Sequence, residues 1–310
     1  MYSNTKLSVA ILGAGAWGAS LANLAAANGH QVRVWSRQGS QIQAVLQDVQ
    51  IVLSAISMIG VRDVASQVES FPLSPETIFV TATKGLDPQT TCTPSQIWQQ
   101  IFPNHAVVVL SGPNLSKEIQ MELPAATVVA SNIPTAAEVV QLVFSSHRFR
   151  VYTNPDPLGV ELGGTLKNVI AIAAGVCDGL QLGTNAKAAL VTRGLTEMVR
   201  IGNNWGAKTE TFYGLSGLGD LLATCNSPLS RNYQVGYQLA GGKSLTETLA
   251  NLQGTAEGVN TCRVLMQRAK QQNIAVPITG QVYRLLQGEI TPRQALDELM
   301  LRDIKPEYNY

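Results

Sequence analysis

The chain has 310 residues, 45% of them hydrophobic, and its 22 basic and 21 acidic side chains leave a formal net charge of +1. That much apolar material builds the cores of two ordinary domains and excludes a disordered chain. There is no basic field to recruit nucleic acid or an anionic membrane, and no apolar run reaches the roughly 18 residues of a membrane span, so neither partner is expected. From the N-terminus, Met1 to Lys6 lead directly into an apolar stretch over 7–12, with no secretory leader. This run predicts a first strand, and it ends in Gly13-Ala14-Gly15-Ala16-Trp17-Gly18. An Ala-rich helix over 20–28 follows at once. Strand, GxGxxG and helix in that order form the fingerprint of a dinucleotide site. Gly13 makes the tight turn, Gly15 lets a pyrophosphate approach the backbone, and Gly18 lets helix pack on strand. The helix start offers its N–H groups to phosphate, with Ala16 and Trp17 beside it.

The second strand is predicted over 31–35 and is followed by Ser36-Arg37. NAD sites usually place a carboxylate here for the ribose 2′-hydroxyl. The first acidic residue of this chain is Asp48. Arg37 is suited to a 2′-phosphate, so the sequence leans to NADP(H) and leaves NAD(H) open. By position alone Arg37 is also a solvated charge at a strand end. Further unbroken apolar runs predict strands over 50–55, 77–81, 106–110, 126–130 and 149–152, with helix-like segments between most of them. Strands alternating with helices define an α/β, Rossmann-type, doubly wound and mainly parallel sheet. Thr153-Asn154-Pro155-Asp156-Pro157 reads as a linker. Beyond it helical patterns run over 158–178, 185–203, 217–225, 231–241, 244–252, 256–272, 278–287 and 292–302, with stops at Gly202, Gly206, Gly242 and Gly288. The expected organisation is a dinucleotide-binding domain over 1–154 and an all-α substrate domain over 155–310. A cleft between them is the default meeting place of substrate and nicotinamide.

Four further stretches carry candidate chemistry. Lys84 follows a buried strand and stands at the carboxyl edge of the sheet, where open α/β sheets bind ligands. Gly112 and Asn114 in SGPN leave another strand at that edge, where they could offer backbone and amide donors, although read by itself the stretch is better explained as a plain turn. Lys167 lies inside GGTLKNVIAIAAG, among small and apolar residues where lysine is seldom placed without a partner or task. Burial there lowers its pKa toward a value suited to general acid–base work, and snorkelling to water is the alternative. Asp220, among glycines, can orient Lys167 or bind a hydroxyl. Ser230-Arg231-Asn232 reads as a helix start, with Ser230 as N-cap and Arg231 suited to a phosphate. The 4 cysteines and 3 histidines are dispersed, which predicts neither a disulfide frame nor a metal site.

Taken in series, GAGAWG, TKGL, SGPN, GGTLKNVIAIAAG, NAKAALVTRGLTEM, GLSGLGDLLATC, SRN and TAEGV resemble the bacterial NAD(P)-dependent glycerol-3-phosphate dehydrogenases over nearly the whole chain. The resemblance implies a cytoplasmic oxidoreductase that interconverts dihydroxyacetone phosphate and sn-glycerol 3-phosphate and supplies phospholipid synthesis. It implies Lys167 as the catalytic proton carrier. Lys84, Gly112, Asn114, Asp220, Ser230, Arg231 and Asn232 are implied around substrate. Gly13, Gly15, Ala16, Trp17, Gly18, Arg37, Lys84, Ser116, Arg231 and Glu257 are implied around the cofactor. Two departures stand out. Only the fourteen residues 38–51 separate Arg37 from the core of the third strand, where the family inserts a helix, a loop and an edge strand. This shortens the sheet edge and opens the adenosine pocket. Asn114 stands where the family more often has Ser or Thr.

Two rivals remain. A β-hydroxyacid or ketopantoate-reductase type also joins a Rossmann domain to a helical one around a lysine. A non-catalytic NADP(H) sensor needs only the first domain's turn. The basic helix start at Arg231 favours a phosphorylated substrate. Apolar helices in the second domain permit a homodimer without demonstrating one.

Overall fold

The seven runs expected as strands become the seven strands of one sheet: β1 (Ser8–Leu12), β2 (Gln31–Trp35), β3 (Ile51–Ser54), β4 (Ile78–Thr81), β5 (Val107–Ser111), β6 (Ala125–Ala130) and β7 (Phe149–Asn154). The computed structural model describes residues 6–39, 41–252, 254–304 and 306–307. Strand order is β2-β1-β3-β4-β5-β6-β7. Every pairing is parallel except β5 with β6, which is antiparallel. Alternate residues of β1 enter opposite cores. Val9 and Ile11 pack with Leu21, Ala25, Val140 and Phe144, whereas Ala10 and Leu12 pack with Val52, Val64 and Trp98. Both faces of the strand are therefore covered, which is why its sequence is apolar without alternation.

The covering helices are α1 (Ala16–Ala27), α2 (Gln43–Leu46), α3 (Val61–Glu69), α4 (Pro94–Ile101), α5 (Ser116–Gln120) and α6 (Pro134–Phe144). β2 and β7 are the sheet's edge strands, and the short connection from β2 to β3 holds the one-turn α2 among the described residues. The first helix starts at Ala16, four residues before the Ala-rich stretch suggested, because the fingerprint turn itself winds into it.

Beyond β7 the described residues form helices α7 (Pro157–Gly179), α8 (Gly183–Asn204), α9 (Asp220–Cys225), α10 (Arg231–Ala240), α11 (Leu245–Ala250), α12 (Glu257–Gln271), α13 (Pro277–Leu286) and α14 (Pro292–Met300). A short 3-10 helix, Thr209–Tyr213, and a π-helical turn, Leu215–Gly219, precede α9. The linker is shorter than the two prolines suggested, since β7 runs through Asn154 and Asp156 already caps α7 by accepting from Gly159 N at 2.9 Å. Gly202 is not a helix stop. It lies inside α8, where a Cβ would meet the Phe212 ring at 2.2 Å, and the chain turns instead at Gly206 with φ +94°. α7 also corrects the membrane-span expectation. Its 23 residues are long and apolar enough to cross a bilayer, although Glu161 and Lys167 interrupt the run, and 94% of its most apolar stretch is buried within the protein. It is the core helix against which α8, α9, α10 and α12 pack.

Candidate active site

The carboxyl ends of β2, β1, β3, β4 and β5 lie side by side, and the loops after β1, β2, β4 and β5 carry predicted chemistry. At the first, Gly13 has φ +117°, and a Cβ there would stand 2.5 Å from Ala55 O. A Cβ on Gly18 would stand 1.9 Å from Gly13 O. Gly15 is different, because nothing lies within 4 Å of where its Cβ would be. The turn is thus forced at Gly13, locked at Gly18 and open at Gly15, which is what close approach of a pyrophosphate requires. Gly15 is also the N-cap of α1 and offers no side-chain cap, so the first N–H groups of the helix face the opening. These residues fit a dinucleotide. Trp17 is half-buried and Ala16 exposed on the same turn. Arg37 is exposed at the end of β2, and its guanidinium lies 3.6 Å from the Cβ position of Gly60. Ser116 begins α5 and is tied to α1 where its carbonyl accepts from Ser20 Oγ at 3.4 Å.

Lys84 and Lys167 converge on one carboxylate. Lys84 Nζ donates to Asp220 Oδ2 at 2.5 Å and to Gly112 O at 3.2 Å. Lys167 Nζ lies 3.0 Å from Asp220 Oδ1 and donates to Thr224 Oγ1 at 2.5 Å. Thr224 in turn donates to Asp220 Oδ1 at 3.1 Å. Lys167 is only 7% exposed, so the snorkelling alternative is excluded. Burial lowers its pKa to about 8, with Asp220 opposing the shift and Lys84 adding to it. Burial acts on Asp220 in the opposite sense, pushing it up, but the Lys167 and Lys84 ammoniums outweigh burial and hold its carboxyl below the usual range.

The small residues of α7 make this convergence possible. A Cβ on Gly164 would stand 2.2 Å from Ser111 Oγ and 3.3 Å from Lys84 Cε, so α7 reaches the sheet edge only with glycine there. Ser111 Oγ is buried and has no partner, and so is Asn114 Oδ1. Asn114 differs from the expectation of a free amide donor, because its Nδ2 is spent on Thr127 Oγ1 at 3.0 Å. Gly112 contributes its carbonyl to Lys84.

Ser230 caps α10, accepting from Tyr233 N at 3.3 Å. Arg231, exposed on the first turn, reaches toward Gly254 and Glu257. Glu257 opens α12 and accepts from Met58 N at 3.2 Å, with burial raising its pKa. Asn232 is only 8% exposed and its amide is engaged by Asn168 and Gly258. Sequence reasoning missed Thr224 and Asn168. Thr224 lies four residues after Asp220, one helical turn on, and that spacing was legible. Asn168 follows Lys167 and carried no signal of its own.

Residues 8–48 and 39–137 match the family model of the NAD-dependent glycerol-3-phosphate dehydrogenase N-terminus, and residues 156–297 match that of its C-terminus. A relative in Trichormus variabilis, a glycerol-3-phosphate dehydrogenase of the NAD(P)+ type, is 81% identical over 305 residues, covering 98% of this chain and 99% of the relative. One of the same description in Synechocystis sp. is 59% identical and covers 99% of this chain and 97% of its own. The crystal structure of glycerol-3-phosphate dehydrogenase from Coxiella burnetii superposes with a TM-score of 0.92 at 34% identity, covering 96% of this chain and 99% of that one. A ketopantoate reductase from Ralstonia eutropha shares the fold alone, with a TM-score of 0.55 at 14% identity over 94% of this chain and 99% of that one.

Proposed function

The chain belongs to the NAD-dependent glycerol-3-phosphate dehydrogenase family, and from that premise we propose that Lys167, held by Asp220 and Thr224, carries the proton of the reaction. The enzyme is an oxidoreductase that interconverts dihydroxyacetone phosphate and glycerol 3-phosphate with NAD(P)(H). The bound dinucleotide supplies or accepts the hydride. During reduction, negative charge grows on the carbonyl oxygen, and the Lys167 ammonium neutralises it and gives up its proton. In the reverse direction the neutral amine takes the proton of the substrate hydroxyl. The observation that carries this reading is the buried Lys167–Asp220–Lys84 cluster at the sheet edge that also holds the open Gly15 turn.

Lys84, Gly112, Asn114 and Asp220 surround the three-carbon substrate in this reading. Arg231 balances its phosphate at the start of α10, with Ser230 fixing that start. Gly13, Gly15, Ala16, Trp17, Gly18, Arg37, Ser116 and Glu257 line the dinucleotide, with Lys84 and Arg231 between the two ligands. Exposed Arg37, with no carboxylate at the end of β2, supports NADP(H) as the preferred cofactor. Glycerol 3-phosphate is the backbone of phospholipids, so the reaction belongs to lipid precursor supply in the cytoplasm. Initial rates decide the matter. Dihydroxyacetone phosphate should be reduced far faster than ketopantoate, and NADPH should give the higher kcat/KM than NADH. Preference for the unphosphorylated keto acid overturns the substrate, and preference for NADH overturns the role of Arg37.

A further inference from the structure

After β4 the chain passes through Thr83-Lys84-Gly85-Leu86, and each of these residues is tied to a different part of the molecule. Thr83 Oγ1 donates to Ile56 O at 2.9 Å on the turn after β3. Lys84 Nζ reaches Gly112 O and Asp220 Oδ2. Leu86 O accepts from Asn260 Nδ2 at 3.0 Å on α12. Gly85 N donates to Thr165 Oγ1 at 3.1 Å on α7, and both residues are buried. Among the described residues no backbone carbonyl accepts from Gly85 N, so the threonine hydroxyl satisfies that donor by itself.

The bond lies between the two lysines of the site. Gly85 follows Lys84 directly, and Thr165 stands two positions before Lys167. The preceding residue of α7, Gly164, receives the Lys84 stem, since a Cβ there would stand 3.3 Å from Lys84 Cε and 3.4 Å from Lys84 Cδ. Two adjacent residues of one helix thus hold Lys84, one along its stem and one through the amide that follows it. On its other side Gly85 is closed in, because a Cβ there would stand 2.9 Å from Met58 Cβ and 3.4 Å from Glu257 Oε2. With the Thr165 hydroxyl removed, the buried Gly85 N–H has no acceptor, and the loop must shift to find one. Such a shift moves Lys84 relative to Lys167, because the two ammoniums meet on one carboxylate, one from the loop and one from the helix.

We propose that Thr165 is a positioning residue for Lys84: its hydroxyl fixes the loop after β4 on the helix that carries Lys167 and so sets the spacing of the two ammoniums on Asp220. The proposal rests on the reading of Lys167 as proton carrier and of Lys84 as a substrate contact. The titratable groups that act on Lys167 are Asp220 and Cys225 on α9 and Lys84 on the loop. The Lys84 ammonium depresses the Lys167 pKa, and it also takes one oxygen of the carboxylate that favours the Lys167 charge. A Lys84 that backs away relieves both effects, so the Lys167 pKa rises.

The test compares initial rates of dihydroxyacetone phosphate reduction at saturating NADPH in full-length variants. Thr165→Val keeps the shape and loses the acceptor, whereas Thr165→Ser loses a methyl group and keeps the acceptor. Thr165→Val should lower kcat/KM about tenfold and move its alkaline fall up by about half a pH unit. Thr165→Ser should stay within about twofold of the parent, with the fall at the parent's pH. In a Lys84→Ala background, which already lacks the ammonium, Thr165→Val should cost no more than about twofold further. An equal loss in both backgrounds overturns the proposal. So does a Thr165→Val enzyme that loses urea stability while keeping the parent's rates and pH profile. If Thr165→Val fails to fold, Thr165→Ala against Thr165→Ser decides by the same rates, since those two differ only in the hydroxyl. A parent profile that does not fall through about pH 8 overturns Lys167 as the proton carrier, whereas the kcat/KM comparison across the two Lys84 backgrounds still judges Thr165.

Discussion

At Lys167 two opposed effects act on one ammonium. Burial penalises its charge, Asp220 favours it, and the balance leaves a pKa of about 8, below the ordinary lysine value of 10.5. The nearby Lys84 ammonium lowers it further. Reduction needs the charged form, so kcat/KM for dihydroxyacetone phosphate should be flat at low pH and fall as pH rises through about 8. Oxidation of glycerol 3-phosphate needs the amine and should rise over the same interval. Lys167→Ala should lower kcat by on the order of 10²–10⁴ in both directions and leave the NADPH Kd near the parent value. Steady-state pH profiles and cofactor titration check both statements. The neutral form is favoured by folding, so this group costs stability below pH 8 and ceases to do so above its ordinary value. Lys167 was legible because a lysine in a run of small residues violates composition rules. Of its two oxygen partners, Asp220 was named from its sequence as able to orient it, whereas Thr224 was missed, since only folding brings it within reach of the amine.

Helix packing is set by backbone contact as much as by side chains. α7 and α10 meet through Gly175 and Gly236, whose Cβ atoms would lie 2.0 Å from Tyr233 O and 1.8 Å from Ile172 O. Backbone oxygens cannot move aside as a flexible side chain can. Gly236→Ala should therefore cost about 3 kcal/mol or more, read as a lower urea midpoint at unchanged slope. Gly280 in α13 is the control, because nothing lies within 4 Å of its Cβ position. Gly280→Ala should leave stability unchanged or raise it by up to about 1 kcal/mol. The sequence placed Gly163 and Gly164 in a run of small residues, and the structure makes that run a surface of close approach. The sequence did not mark Gly202 as an interior contact, because a glycine near a helix end reads as a stop until its neighbour Phe212 is known.

The sheet-bearing and helical parts of the molecule are joined by polar contacts around the loops after β3 and β4. Gly85 N donates to Thr165 Oγ1 at 3.1 Å, and Asn260 Nδ2 donates to Leu86 O at 3.0 Å. Glu161 of α7 accepts from Ser95 N at 2.8 Å and from Ser95 Oγ at 2.5 Å on α4. Burial pushes the Glu161 pKa up to about 7, against an ordinary value of 4.5, and the Ser95 and Thr93 hydrogen bonds only partly oppose it. The folded state therefore holds this proton more tightly than the unfolded chain. Its stabilising effect is complete below pH 4.5 and is lost as pH rises through about 7, a change of about 3 kcal/mol. Glu161→Gln keeps an acceptor for Ser95 N and has no charge to bury. Urea unfolding at pH 5 and pH 7.5 should show the parent losing stability relative to Glu161→Gln; parallel pH dependence in both would assign the loss to other groups.

Strand positions, the dinucleotide turn and the all-helical second half were written in local sequence, because apolar runs, glycine spacing and helical periodicity are short-range signals. The buried aliphatic strands had to be covered on both faces, and GxGxxG after such a strand had few other uses. Local sequence could not say which polar atoms would be left over once the chain closed. The commitment of the Asn114 amide to Thr127, the engagement of Asn232 by Gly258, and the meeting of two ammoniums on Asp220 depend on contacts between residues far apart in the chain. Partners for buried polar groups are allotted by the tertiary structure, because each must be satisfied by whatever packing brings within hydrogen-bond reach.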